Sequence, residues 1–151
     1  MKNQLYNTHY LFTISMVSAL GGLLFGYDWV VIGGAKPFYE QFFDIANSPR
    51  LQGWAMSSAL LGCLLGAMLS GMLSDKYGRK RLLIFAAFLF TLSAVGTGAS
   101  NQFTPFLIYR ILGGIGIGLA SNLSPMYIAE VAPGPVRGRY VSLNQLTIVI
   151  G

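Results

Sequence analysis

Long apolar stretches alternate with short polar segments along this chain. Residues 51–74 contain no Asp, Glu, Lys or Arg, and neither do residues 82–109. A helix needs about 20 apolar residues to cross a bilayer, so stretches of this length predict membrane-spanning helices. The pattern predicts four complete spans and the start of a fifth, at about residues 11–34, 51–74, 82–100, 105–129 and 140–151.

Composition supports the membrane interpretation. The 151 residues are 54% hydrophobic and only 10% charged, whereas a soluble domain has about 25% charged residues. The net charge is +5, but most basic residues fall between the spans, so no nucleic-acid partner is expected. Cys63, the single cysteine, lies inside an apolar span without metal-ligand neighbours. No metal site and no cofactor are therefore expected.

The basic residues between the spans predict the orientation. They occur before span 1, after span 2 and after span 4, at Lys2, Lys76, Arg79, Lys80, Arg81, Arg137 and Arg139. The positive-inside rule therefore predicts a cytoplasmic N-terminus in a multi-pass protein of the cell membrane. A secretory signal peptide is the alternative for residues 1–30. The length of the first apolar stretch and the three further spans argue against it.

Two opposite charges fall inside the predicted spans. Asp28 lies about six residues before the outer end of span 1, and Arg110 lies about five residues after the outer start of span 4. At 1.5 Å per residue, both are roughly 8–9 Å below the outer ends of their helices. Such charges usually face the interior and pair. The pair could be a static ion pair, or a titratable carboxylate whose proton competes with the guanidinium.

Glycines recur at a spacing of four residues within the spans. These small-xxx-small pairs are Gly22/Gly26, Gly62/Gly66 and Gly114/Gly118. Such pairs let two helix backbones approach closely in lipid. The glycine-rich stretch 113–118 superficially suggests a nucleotide loop, but it lacks a preceding strand and the required spacing. Helix packing is therefore the interpretation that we expect.

Several motifs then point to one family. The stretch Gly71-x-x-x-Asp75-x-x-Gly78-Arg79-Lys80-Arg81 resembles the loop 2–3 signature of the major facilitator superfamily. Four further segments resemble motifs of its sugar porter family. These segments are Gly26-Tyr27-Asp28, Tyr109-Arg110 with the following glycines, Pro125 to Pro133 with Arg137-Gly138, and Gln145-Leu146. Together these matches cover nearly the whole chain in the family's order.

The resemblance implies a fold. Family members are all-α, polytopic bundles of two six-helix halves, with the substrate bound between the halves near the membrane midplane. The chain, residues 1–151, is accordingly expected to be the N-terminal part of the first half, truncated in span 5. Transport would then need the further helices of a complete transporter.

The resemblance also implies roles for single residues. Asp28 resembles the proton-coupling carboxylate of bacterial sugar/proton symporters, and Arg110 resembles its partner. Gln145 resembles a glutamine that hydrogen-bonds sugar hydroxyls, and Phe25 resembles an aromatic wall of that site. Trp29 departs from the small residue that often follows the aspartate in this family. The resemblance therefore does not fix the size of the sugar cavity. The alternative for Gln145 is a hydrogen bond between helices.

A second group of residues resembles the family's cytoplasmic charge network, which holds the outward-facing state. The group comprises Asp75, Arg79, Glu130 and Arg137. Helix capping and topology signalling are the alternative roles of these charges. Both kinds of role could apply at once.

The function implied by the resemblance is secondary active transport. The expected substrate is a monosaccharide or related polyol, which the protein carries together with a proton by alternating access. The expected surroundings of the protein are membrane lipid. The alternatives are a truncated or structural membrane subunit, which would not depend on Asp28, and a facilitator of another small polar solute. An enzyme is not expected, because the sequence offers no nucleophile–base pair, metal cluster or phosphate loop.

Overall fold

The chain is built from α-helices. The computed structural model describes residues 8–151, and Lys2, used above for orientation, lies outside the described residues. The helices of the described part are α1 (Thr8–Phe42), α2 (Pro49–Tyr77), α3 (Arg79–Gly98), α4 (Phe103–Val131) and α5 (Gly134–Ile150). In this part of the chain four helices, α1 to α4, are long and apolar enough to cross a membrane. The predicted all-α bundle is confirmed.

Helix α1 continues beyond the predicted end of span 1 at Gly34. It runs to Phe42, so much of the segment expected as a loop is helical. Lys36 and Glu40 are one turn apart on this extension, and their Nζ and Oε1 atoms lie 3.7 Å apart. Such i,i+4 pairs support a helix outside an apolar environment. Hydropathy therefore predicted the apolar part of α1 but not the polar helical extension that follows it.

Aromatic packing fixes this extension against the start of α4. The ring centroids of Tyr39 and Phe106 are 5.6 Å apart, and those of Phe43 and Phe106 are 5.2 Å apart. Phe106 and Tyr39 are both buried. Aromatic pairs at such distances add stability beyond the area that they bury. The C-terminal end of α1 is thus held beside the N-terminal end of α4.

A single residue, Gly78, joins α2 to α3. Its φ is 80° and its ψ is 150°, a conformation that residues with a Cβ rarely adopt. The turn places the basic residues of the loop at the end of the hairpin. Glycine at this position is therefore a requirement of the backbone path.

Helix α4 lies at the centre of the bundle. It packs against each of the other four helices, and its middle section, Gly113 to Ala120, is almost entirely buried. The other helices pack around it, and α5 packs mainly on α1. Arg110, which lies in a buried part of α4, therefore faces other helices.

Glycines allow α2 and α4 to touch along their backbones. A Cβ at Gly62 or Gly66 of α2 would collide with backbone atoms of α4, and a Cβ at Gly114 or Gly118 of α4 would collide with backbone atoms of α2. The close approach is thus reciprocal. The expected helix-packing role of these pairs agrees with this arrangement.

Helix α5 is attached to α1 and α4 by polar contacts. The Thr147 hydroxyl donates to the Ala19 carbonyl over 2.8 Å, and the Ser124 hydroxyl lies 2.8 Å from the Asn144 side-chain oxygen, to which it can donate. Because Gly22 has no Cβ, Asn144 can pack closely against α1 at this position. Inside an apolar bundle such bonds stabilise helix association by about 0.6–2 kcal/mol each.

Candidate functional site

The two charges within the spans meet between α1 and α4. Arg110 Nη1 donates a hydrogen bond to Asp28 Oδ1 over 2.7 Å. The Arg110 side chain is 8% exposed and that of Asp28 is 19% exposed, so the pair is largely removed from solvent. A buried guanidinium without its anion would be costly, which explains the close pairing. The expected contact across the bundle is therefore present.

A small cavity adjoins this ion pair. Its volume is about 20 Å³, and it lies where α1, α2 and α4 meet. The lining includes Phe25 and Trp29 on α1, Leu60 and Cys63 on α2, and Arg110 on α4. Phe25, the predicted aromatic wall, thus lies beside the ion pair.

Gln145 occupies a different position. It lies on α5 next to Asn144, and it is exposed whereas Asn144 is buried. Because Thr147 and Asn144 face α1 and α4, Gln145 is turned away from that interface. The structure does not bring Gln145 into the cavity beside Asp28, so its role in sugar binding stays a prediction.

Three of the four residues predicted for the charge network lie together at the α2–α3 turn. Arg79 Nε is 2.9 Å from Glu130 Oε1, and Arg79 Nη2 is 3.6 Å from Asp75 Oδ1. The Nε–H is not aligned for a hydrogen bond to Glu130, so this contact is ionic. The Glu130 and Asp75 side chains are 49% and 79% exposed. Exposed ion pairs contribute little stability, and the role of this cluster in conformational change stays a prediction.

Arg137, the fourth predicted member, makes a different contact. Its Nε donates to the Ala132 carbonyl over 3.4 Å. Ala132 follows the last residue of α4, where the final carbonyl groups of a helix lack helical partners. In this structure Arg137 therefore caps the end of α4.

A larger cavity of about 390 Å³ lies between α1, α3 and α4. Its walls are mostly apolar, with side chains such as Val17, Leu24 and Phe90. A sugar needs several hydrogen-bond partners in its site. The lining also includes polar side chains such as Thr13, Ser18 and Lys80, so both its volume and its composition fall within the range of small-molecule pockets.

Sequence reasoning missed two features of this region. The bond between Ser124 and Asn144 had a signal, since both are polar residues inside or beside apolar spans. The cavity beside Asp28 had none, because its volume depends on how three helices pack. Within residues 8–151, no group of three metal-ligating side chains lies together.

Known proteins resemble this chain in sequence. The family described as "Sugar (and other) transporter" matches residues 14–151. The D-xylose-proton symporter of Escherichia coli is 43% identical, over 99% of this chain and 35% of the symporter. The glucose transport protein of Synechocystis is 47% identical, over 96% of this chain and 31% of that protein. The arabinose-proton symporter of Bacillus subtilis is 42% identical, over 94% of this chain and 30% of the symporter.

Solved structures agree with these relatives. A major facilitator superfamily proton:xylose symporter bound to 6-bromo-6-deoxy-D-glucose superposes with a TM-score of 0.87 and 43% identity, over 96% of this chain and 36% of that one. The inward-open xylose transporter from E. coli gives a TM-score of 0.87 and 42% identity, over 93% and 37% of the two chains.

These matches define the class of the protein. The chain belongs to the sugar porter family of the major facilitator superfamily. With its family and its apolar helices, it is a multi-pass membrane protein. It spans about a third of the length of the curated relatives that it matches.

Proposed function

We propose that this chain takes part in the transport of a sugar coupled to a proton. The observation that carries the proposal is the Asp28–Arg110 pair, a carboxylate and a guanidinium 2.7 Å apart inside a bundle of apolar helices. Charges at such depth usually serve ion or substrate pathways. The names of two relatives, a D-xylose-proton and an arabinose-proton symporter, support the substrate class.

In this mechanism Asp28 binds the coupling proton. Protonation neutralises the carboxylate, so Arg110 loses its anion and the pair is weakened. A conformational change that moves the two side chains apart favours proton uptake, and one that brings them together favours release. The role that we propose is transport and not catalysis, in keeping with relatives that are transporters.

Sugar contacts are proposed for Phe25 and Gln145. Phe25 lies beside the ion pair and offers an aromatic face. The Gln145 amide has both donors and an acceptor, which suits the hydroxyls of a polyol. Its exposed position on α5 leaves it free to face a sugar held against this bundle. We propose that transport also needs helices besides the five described, because the related symporters are about three times as long.

The cluster of Asp75, Arg79 and Glu130 is proposed to bias the inward–outward equilibrium. Its ion pairs are exposed and join the α2–α3 turn to the end of α4. A ligand or a movement that separates these elements would break them at small cost. Arg137 would join the network only in a state in which it leaves the end of α4.

The direct test of this function is a chimera. Residues 1–151 replace the matching segment of the E. coli D-xylose-proton symporter, and the chimera is reconstituted in proteoliposomes. Adding xylose outside should drive protons into the vesicles, because Asp28 would carry one with each transport cycle. The measurement is the internal pH after xylose addition.

Two results would contradict the proposal. Xylose flux without proton influx would favour a facilitator. Xylose binding without any flux would favour a structural subunit. The unmodified symporter, measured in parallel, serves as the positive control.

The proposed orientation has a cytoplasmic N-terminus in the cell membrane. Helix α2, which lies between Asp44 and Tyr77, is about 44 Å long at 1.5 Å per residue, enough to cross a bilayer. Asp44→Cys and Tyr77→Cys, each with Cys63→Ser, should therefore react with an impermeant thiol reagent from opposite sides. Asp44→Cys should react from outside and Tyr77→Cys from the cytoplasm. Reaction of both variants from the same side would refute this topology.

A further inference from the structure

The cavity beside the Asp28–Arg110 pair has a volume that decides what it can hold. Its volume is about 20 Å³. A cavity needs about 10–15 Å³ to hold one water molecule, whereas small-molecule sites measure about 300–1,000 Å³. The cavity thus has room for one water molecule and is far too small for a sugar.

The polar groups at the cavity suit a water molecule. Arg110 lines it, and the Nε–H of Arg110 is buried without a hydrogen-bond partner among the described residues. Buried N–H groups are nearly always paired, with protein or with water. Asp28 also lines the cavity, and its carboxylate can accept a hydrogen bond. One water molecule would therefore find both a donor and an acceptor there.

The rim of the cavity is formed by large side chains on two facing helices. Trp29 on α1 is 44% exposed and Leu60 on α2 is 45% exposed, and both line the cavity. Phe25 lies one turn before Trp29 on the same face of α1. Because α1 and α2 make few direct contacts, their side chains rather than their backbones line the space next to the ion pair.

We propose that this cavity binds one water molecule against the Asp28–Arg110 pair and that Trp29 closes it, with Leu60 on the facing helix. Trp29 then controls when external water reaches Asp28. Under the proposed transport function, that water delivers the proton. A hydronium ion transfers a proton to the Asp28 carboxylate, which forms an O–H bond and leaves a neutral water molecule. The closure itself does not depend on transport.

The chain contains its own probe for this closure. Cys63, the single cysteine of the sequence, lines the same cavity. In the full chain reconstituted in lipid nanodiscs, Cys63 should react slowly with a charged, water-soluble methanethiosulfonate reagent. Trp29→Ala should raise the rate roughly tenfold, because the reaction of the partly buried Cys63 thiol is limited by the access of the water-soluble reagent. Trp29→Phe, which keeps an aromatic ring, should raise the rate less.

A matched control is the second tryptophan. Trp54 is 47% exposed on α2 and is absent from the lining of the cavity, so Trp54→Ala should leave the Cys63 rate unchanged. Equal rates in the wild-type chain and Trp29→Ala would overturn the proposal, and so would an equal rise in Trp54→Ala. If Trp29→Ala does not insert, Leu60→Ala opens the same rim, and an unchanged rate in that variant would also overturn it. Thiol reaction involves no transport, so a failure of the coupling mechanism would leave this result intact.

Discussion

Asp28→Asn should abolish proton-driven sugar accumulation while sugar binding survives. The amide oxygen can still accept the hydrogen bond from Arg110, so the shape of the pair is kept. The amide cannot take up a proton, however, and the coupling step is lost. In the chimera with the xylose symporter, xylose-induced proton influx should fall to background. Xylose binding and passive exchange should remain close to their wild-type levels.

The matched control for this variant is Asp44→Asn. Asp44 is an exposed carboxylate just after α1, with a φ of 53° that asparagine also adopts readily. The same chemical change there should leave proton influx unaltered. Undiminished influx in Asp28→Asn would remove Asp28 from the mechanism and would leave the pair with a structural role only.

The ion pair was predictable because a membrane interior permits few arrangements of charge. Asp28 and Arg110 are the charged residues within the apolar parts of the spans, at matched depth on two different helices. Placing either charge in the membrane interior without an opposite charge would cost several kcal/mol. The pairing of Asp28 with Arg110 was therefore predictable from their positions alone. The distance of 2.7 Å and the burial of the pair agree with this reasoning.

The ends of the helices were less predictable than their apolar centres. Hydropathy placed the end of span 1 near Gly34, but α1 continues to Phe42. The extension is stabilised by the Lys36–Glu40 pair and by packing of Tyr39 and Phe43 on α4. These contacts depend on charge spacing and on tertiary packing, and the hydropathy of the sequence predicts neither.

The face that a residue presents was also hard to predict. Asn144 and Gln145 are adjacent amides, and a sequence motif alone does not say which one is buried. The close approach of α1 at Gly22 and the Ser124 hydroxyl select Asn144 for the interface. Gln145 is consequently exposed on α5. The small cavity at Trp29 likewise depends on the packing of three helices.

Gly62→Ala should destabilise the bundle strongly for a change of one methyl group. A Cβ at this position would collide with the Ile111 carbonyl, and the α4 backbone cannot move aside without disturbing the centre of the bundle. Overpacking a close contact costs about 1–3 kcal/mol, and a clash with backbone belongs at the upper end of that range. The measurement is the free energy of unfolding in mixed micelles, followed by helical circular dichroism during titration with a denaturing detergent.

The same helix provides the control, because a Cβ added at Gly71 of α2 would meet no atom of another helix within 4 Å. Gly71→Ala should be neutral or slightly stabilising, since alanine is favoured over glycine inside helices by up to about 1 kcal/mol. The difference between the two variants then isolates the contact with α4 from helix propensity. Equal stability of Gly62→Ala and Gly71→Ala would mean that α2 and α4 do not approach through Gly62. In that case Arg110, which α4 carries, would not be held at its present distance from the α2 wall of the cavity.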